Sequence, residues 1–209
     1  VLCNAYFHKT GDTASAFLRI KDFHQNIIND LFGTSADEVT RLTDNLYCEL
    51  QNILDSDPSL SYDYEYDRII CFGELLSTTI ISAYMEKQGR KAKFIDIRKC
   101  LITDQNYRNA CVNLELSSQL CRKTFTFQDT FMYITQGFIA GTTTNQTTTL
   151  GREGSDYTAA LLANLLDAES VTIWKDVPGI MNADPKLYKD TEIISKMSYK
   201  EAIELSNCG

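Results

Sequence analysis

The run TTTLGREGSDYTAALLANLL, residues 147–166, joins a polar turn punctuated by glycine to the start of a strongly apolar helix. Gly151 and Gly154 open backbone conformations closed to other residues, and Ser155 and Asp156 are placed to cap the helix that follows. A helix start of this kind turns unpaired N–H groups outward and binds anions. Arg152 adds a planar, permanently charged fork suited to a carboxylate or phosphate, and Asp156 sets an acceptor beside it for an amine or a cation. One turn thus carries both signs of charge, which fits a zwitterionic or phosphorylated small molecule better than a bare anion. A capped turn with a surface ion pair accounts for the same residues without a ligand.

Two other segments carry residues of this kind. In FGELLST, Phe72 to Thr78, Glu74 lies in a helix whose other face offers Ile69, Ile70, Leu76, Ile80 and Ile81 to the core, so it marks a cleft-side edge beside Gly73. Gly73 costs the helix roughly 1 kcal/mol against alanine, which suggests close approach of another group; a solvated helical glutamate is the plainer account. In WKDVPGIMNADPK, residues 174–186, a strand ends in an acid and a loop bearing Pro178 and Gly179, where open α/β sheets place ligands. Asp184 before Pro185 explains that loop as turn chemistry alone.

The elements that must position these residues follow from periodicity. Over 13–32, Phe17, Ile20, Phe23, Ile27, Ile28 and Leu31 form a helical apolar stripe that Gly33 ends. Ser35 with Glu38 has capping-box spacing, and Val39, Leu42, Leu46, Leu50 and Leu54 carry a second helix to a break at 55–58. These two predict a helical hairpin, and a third helix runs from about 62 to 87, stopped near Gly89. The pattern then changes to strands at 92–97, 130–135 and 170–176, with helices at about 109–122, 155–167 and from Ser198, capped with Glu201. The fold class is therefore α/β, with a largely parallel sheet covered on both faces and a helical N-terminal portion over 1–90, followed by an α/β part over 91–209.

A chain of 209 residues with 44% hydrophobic content buries one sizeable core, so a single domain is expected. The net charge of -8 and pI near 4.8 argue against an extended nucleic-acid surface, and two histidines leave little scope for a histidine-rich metal site. Trp174 and the tyrosines lack the basic groove that a base-stacking platform needs. No stretch is read as long and apolar enough to span a bilayer, and no signal peptide is found, so cytoplasmic residence is expected. Cysteines at 3, 48, 71, 100, 111, 121 and 208 form no CxxC pair and are expected to be reduced and mostly buried.

The wording of GFIAGTTTNQTTTLGREGSDYTAALLA, VTIWKDVPGIMNADPK and FGELLST resembles the aspartokinases, of the amino acid kinase superfamily, in the family's order across roughly the C-terminal two thirds of the chain. The resemblance implies a three-layer α/β/α sandwich and transfer of the γ-phosphoryl group of ATP, with magnesium, to the side-chain carboxylate of L-aspartate, the first step of lysine, threonine and methionine biosynthesis. By resemblance Glu74, Arg152 and Ser155 bind aspartate, Asp156 is catalytic, and Lys175, Asp176, Met181 and Lys186 hold the nucleotide. Departures are visible: Lys175 replaces a small hydroxyl residue, Met181 an aromatic, Lys186 an arginine, Glu153 a small or neutral residue, and Asn145 a glycine. The family's KFGGTS phosphate loop, a later nucleotide-contacting lysine and C-terminal ACT domains find no match, so the sequence reads as part of a catalytic domain, expected to be inactive alone and homo-oligomeric when whole. The alternatives are a kinase of another acid and a catalytically silent ligand-sensing domain.

Overall fold

The computed structural model describes residues 1–175 and 179–208, which divide into two compact units, Val1–Val171 and the residues from 172 onward. The first unit opens with α1 (Leu2–Phe7), α2 (Thr13–Phe32), α3 (Asp37–Leu54) and α4 (Tyr62–Lys87). In α2 the apolar stripe buries Ile28 and half-buries Ile20, Ile27 and Leu31, but Phe23 is 63% exposed and lies outside the packed face. Gly33 ends the helix by donating its N–H to Asn29 O. The capping box read at Ser35 and Glu38 does not form: residues 33–35 make a 3-10 turn and Ala36 stands at the cap. Asp37 and Glu38 still complement the helix dipole from its first turn.

Ser61 starts α4 by accepting the Tyr64 N–H at 3.3 Å. This helix is long and apolar enough to cross a membrane by length and composition, contrary to the sequence reading. Its apolar residues Ile69, Phe72, Leu75, Leu76 and Ile80 are instead buried in the cores of this unit. Ile70 and Ile81 are exposed, against expectation, because the same face that buries Ile69 and Leu76 turns them away.

Two short sheets follow. Strand β1 (Lys93–Ile95) pairs in parallel with β3 (Tyr133–Thr135), with Phe94 opposite Ile134. Strand β2 (Ile102–Thr103) pairs in parallel with β4 (Ile139–Thr142), and β4 pairs antiparallel with β5 (Thr147–Thr149). Helices α5 (Leu114–Thr124) and α6 (Gly154–Leu165) complete an α/β arrangement. The α5 start falls later than expected because Asn113 caps it, accepting the Leu116 N–H at 3.0 Å. Strands β2, β4 and β5 escaped the sequence reading because their threonines look like loop residues. Their hydroxyls pair within the sheet, Thr103 with Thr148 at 2.6 Å.

In the second unit the strand expected over 170–176 is absent from residues 172–175, and Val171 before them is likewise irregular and 51% exposed. Ile173 and Trp174 are exposed, and a strand without a ladder partner is not stable. A bridge joins Met181 to Ile193, and α7 (Tyr199–Cys208) begins with the expected capping box: Ser198 Oγ donates to Glu201 Oε2 at 2.8 Å, and the Glu201 N–H returns to Ser198 Oγ at 3.3 Å. Cys3, Cys71, Cys100 and Cys121 are free and buried, and Cys48 and Cys111 are free and exposed.

Candidate functional site

The turn between β3 and β4, residues 136–138, is where two of the first-unit candidates, Glu74 and Ser155, meet. Gln136 is wholly buried, its Nε2 donating to Thr78 Oγ1 at 3.0 Å and its Oε1 accepting the Ile97 N–H at 2.9 Å. Thr78 lies one turn beyond Glu74 and donates to the Glu74 carbonyl at 2.7 Å. Glu74 is half-buried, and its Oε1 accepts the Gly137 N–H at 3.3 Å. On the other side Gly137 abuts Ser155, so the glutamate of α4 and the serine of α6 meet across one glycine. The close approach read into Gly73 is not made: a Cβ built there has nothing within 4 Å.

Phe138 sits at φ +50, and its N–H reaches Thr158 Oγ1 at 3.1 Å while Thr158 donates to Gly154 O at 2.9 Å. The Phe138 carbonyl accepts the Leu150 N–H at 2.9 Å. These bonds fasten the 136–138 turn to the glycine turn over 150–154. Gly151, at φ +80, uses the left-handed region as expected. Gly154 is there for a different reason, since a Cβ would lie 2.7 Å from Phe138 Cβ.

Ser155 and Asp156 do not cap α6. Glu153 occupies the cap position in left-handed geometry at φ 54, without a side-chain cap bond, and the helix begins at Gly154. A non-glycine residue in that region costs about 1–2 kcal/mol. Ser155 is exposed and Asp156 half-buried in the first turn, where a carboxylate complements the helix dipole and the opening N–H groups favour an anion. Arg152 is exposed, and among the described residues its guanidinium makes no ion pair. An exposed cation, an acidic side chain and a helix N-terminus are what a zwitterion needs. Asn145 adopts φ 61, the left-handed geometry that asparagine tolerates.

One ion pair supports the frame. Arg98 Nη2 meets Asp96 Oδ2 at 2.7 Å and Arg98 Nη1 donates to Thr147 Oγ1 at 3.1 Å, tying the end of β1 to β5. Burial works to raise the Asp96 carboxyl, yet the hydrogen bonds and charge of Arg98 outweigh it and hold Asp96 below the usual carboxylate range.

The remaining candidates lie in the second unit. Lys175 is exposed, and Asp176 lies outside the described residues. Met181 is half-buried, its sulfur accepting from Thr191 Oγ1 at 3.7 Å. Lys186 is exposed beside the expected aspartate turn, its N–H donating to Asp184 Oδ1 at 2.8 Å. Sequence reasoning missed Gln136 and Thr158, whose role is to hold backbone: Gln136 follows the end of β3 between Thr135 and Gly137 and Thr158 lies inside α6, so no local pattern marks either.

The family model described as the amino acid kinase family matches residues 10–209. The lysine-sensitive aspartokinase 3 of Escherichia coli is 34% identical over 175 residues, 83% of this chain and 38% of that protein. The aspartokinase of Chlamydia trachomatis is 36% identical over 142 residues, 68% of this chain and 33% of that protein. Among solved structures, E. coli aspartokinase III in complex with aspartate and ADP (R-state) aligns with a TM-score of 0.88 at 27% identity, covering 99% of this chain and 47% of that one. The form of that enzyme in complex with lysine and aspartate (T-state) aligns at 0.82 and 28% identity, covering 93% and 43%. The chain therefore spans less than half the length of these relatives.

Proposed function

The chain belongs to the amino acid kinase family, and we propose that the intact protein transfers the γ-phosphoryl group of ATP to the side-chain carboxylate of L-aspartate, giving 4-phospho-L-aspartate and ADP. The observation that carries this reading is the meeting of Glu74 and Ser155 at Gly137, one turn from the exposed Arg152. Its support from relatives is the wording of the aspartokinases that the chain resembles.

Arg152 receives the substrate α-carboxylate as a bidentate partner, and Glu74 receives the ammonium group. Glu74 Oε1 already accepts the Gly137 N–H, which fixes the carboxylate and leaves Oε2 toward the substrate. Ser155 and the amides opening α6 complete the pocket. Asp156 sits beside them as the acidic residue of the helix's first turn. The substrate carboxylate is ionised at neutral pH, so no strong general base is required. One of its oxygens forms the new bond to the γ-phosphorus while the bond to the ADP oxygen breaks, and catalysis rests on alignment and charge neutralisation.

Lys175, Asp176, Met181 and Lys186 are assigned to the nucleotide, with Lys186 meeting phosphate as a point charge rather than a fork. Magnesium enters as part of the nucleotide substrate. Among the described residues no cluster of three histidine, cysteine or acidic side chains could hold an ion by itself, which is compatible with a magnesium ion held mainly by phosphate oxygens. The same reading makes the intact protein a cytoplasmic, homo-oligomeric enzyme of amino-acid biosynthesis with residues 1–209 inside its catalytic domain.

The test is ADP release by the intact protein with ATP and magnesium across a panel of acids. Release dependent on L-aspartate supports the reading. Release dependent on another acid assigns a different kinase, and nucleotide binding without turnover assigns a sensor.

A further inference from the structure

Asp67 is a buried carboxylate that the proposed reaction does not use. It lies on α4 seven residues before Glu74, two turns or about 10 Å along the axis on the same helical face. It is fully buried, yet its partners are donors that strands and turns bring to it. Oδ2 accepts the Thr149 N–H at 2.8 Å and the Arg108 N–H at 2.8 Å, and Oδ1 accepts Thr149 Oγ1 at 2.8 Å. The Thr149 carbonyl in turn accepts the Ala110 N–H at 3.0 Å, and the next residue, Leu150, donates to Phe138 O at 2.9 Å.

Thr149 is thus held on every polar atom it has, and Arg152 follows only three residues later. The first residue of that short tether is itself bonded to the 136–138 turn, and the second, Gly151, is seated against Asn109. Helix α4 therefore acts as a ruler. Its Glu74 end holds Gly137, its Asp67 end holds Thr149, and the distance between the two attachment points sets how far the Arg152 guanidinium stands from the Glu74 carboxylate.

We propose that Asp67 is a positioning residue for the amino acid substrate, fixing the register of the Arg152 turn against Glu74 so that one ligand's carboxylate and ammonium groups are met together. This rests on the aspartate kinase reading above. A buried aspartate kept only for stability would affect every substrate alike. A ruler affects the amino acid and spares the nucleotide, because Thr149 leads into the turn that holds Arg152, whereas Lys175, Met181 and Lys186 belong to the second unit.

The experiment measures steady-state kinetics of the intact protein for both substrates, with thermal melting of each variant. Asp67→Asn removes the charge, leaves a single neutral oxygen for the two N–H donors and reverses the bond to the Thr149 hydroxyl, and Thr149→Val removes the hydroxyl donor while keeping the backbone. Asp67→Asn is expected to raise the aspartate KM about tenfold or more, as a displacement near 1 Å costs up to a hundredfold. Thr149→Val should raise it several-fold, both with the ATP KM within about twofold of wild type, and Thr149→Ser should restore wild-type behaviour. Unmoved aspartate KM in folded variants, or equal changes for aspartate and ATP, overturns the proposal. If Asp67→Asn fails to fold, the valine and serine variants at 149 decide alone. Wild-type protein without aspartate-dependent ADP release overturns the kinase reading and the proposal together, whereas normal wild-type turnover with unmoved variants overturns the proposal only.

Discussion

Adding one methyl group at Gly137 puts the proposed site under a calculable load. A Cβ there would lie 2.8 Å from Ser155 Oγ, 2.9 Å from Ser155 Cβ and 3.0 Å from Ser155 Cα. Carbon atoms settle about 3.5 Å or more apart, so Gly137→Ala demands roughly 0.5 Å of extra separation. Rotating the serine side chain cannot supply it, because Ser155 Cα is one of the colliding atoms. The first turn of α6 and the 136–138 turn must move apart, stretching the 3.3 Å bond from Gly137 to Glu74. Overpacking of this kind costs about 1–3 kcal/mol of stability, or roughly 2–12 °C in Tm for a chain of this size. With 1 Å of misplacement worth up to a hundredfold in rate, half that distance is expected to lower kcat/KM for aspartate about tenfold. The assay pairs a thermal melt with steady-state kinetics of the intact protein at saturating ATP. A variant with Tm and kcat/KM both at wild-type values would refute the claim that Glu74 and Ser155 meet across this glycine.

Three further outcomes are expected. Arg152→Ala should raise the aspartate KM by roughly ten- to a hundredfold, the worth of a hydrogen-bonded charge; Glu74→Gln, which keeps the Gly137 acceptor, should raise it with Tm unchanged, and kinetics that leave aspartate KM unmoved in both would count against the assigned roles. Thr158→Val orphans the part-buried Phe138 N–H, whose bond to Thr158 is 3.1 Å, and should lower stability by about 1 kcal/mol, read as a shift in the denaturant midpoint. Iodoacetamide at mildly alkaline pH should label the exposed Cys48 and Cys111 first, whereas burial pushes the Cys71 and Cys121 thiols up to about 12 and should protect them until the protein unfolds; mass spectrometry showing Cys71 labelled in folded protein would contradict that burial.

The helical half of the fold was legible because its signals are local. Apolar residues at helical spacing placed α2, α3 and α4, and glycine punctuation placed two of their ends. Where the reading slipped, a competing local solution won: a 3-10 turn displaced the Ser35 capping box, and Asn113 set the start of α5. The threonine-rich strands were illegible, since nothing in TTT distinguishes a loop from a strand whose hydroxyls find partners across a sheet. The strand read over 170–176 had the opposite fault, apolar alternation at 171–174 without a neighbour to pair with.

Of the candidate site, charge and backbone type were visible and mutual position was not. Arg152, Glu74 and Ser155 announce themselves by chemistry, but the meeting of Glu74 and Ser155 at the 136–138 turn depends on pairings between residues far apart in sequence, Glu74 with Gly137 and Phe138 with Thr158. Asp67 shows the limit most clearly. In the run YDYEYDR it reads as one more acid in a polar segment, and only the fold turns it inward to hold Thr149.

The most direct test of the central claim is chemical trapping of the product. The intact protein is incubated with ATP, magnesium and L-aspartate in the presence of hydroxylamine, and the hydroxamate is identified by mass spectrometry. Formation of the side-chain hydroxamate of aspartate, matched mole for mole by ADP, is the predicted result, since only an acyl phosphate on that carboxylate yields it. Folded, nucleotide-binding protein that releases no ADP and forms no hydroxamate with aspartate would contradict the account.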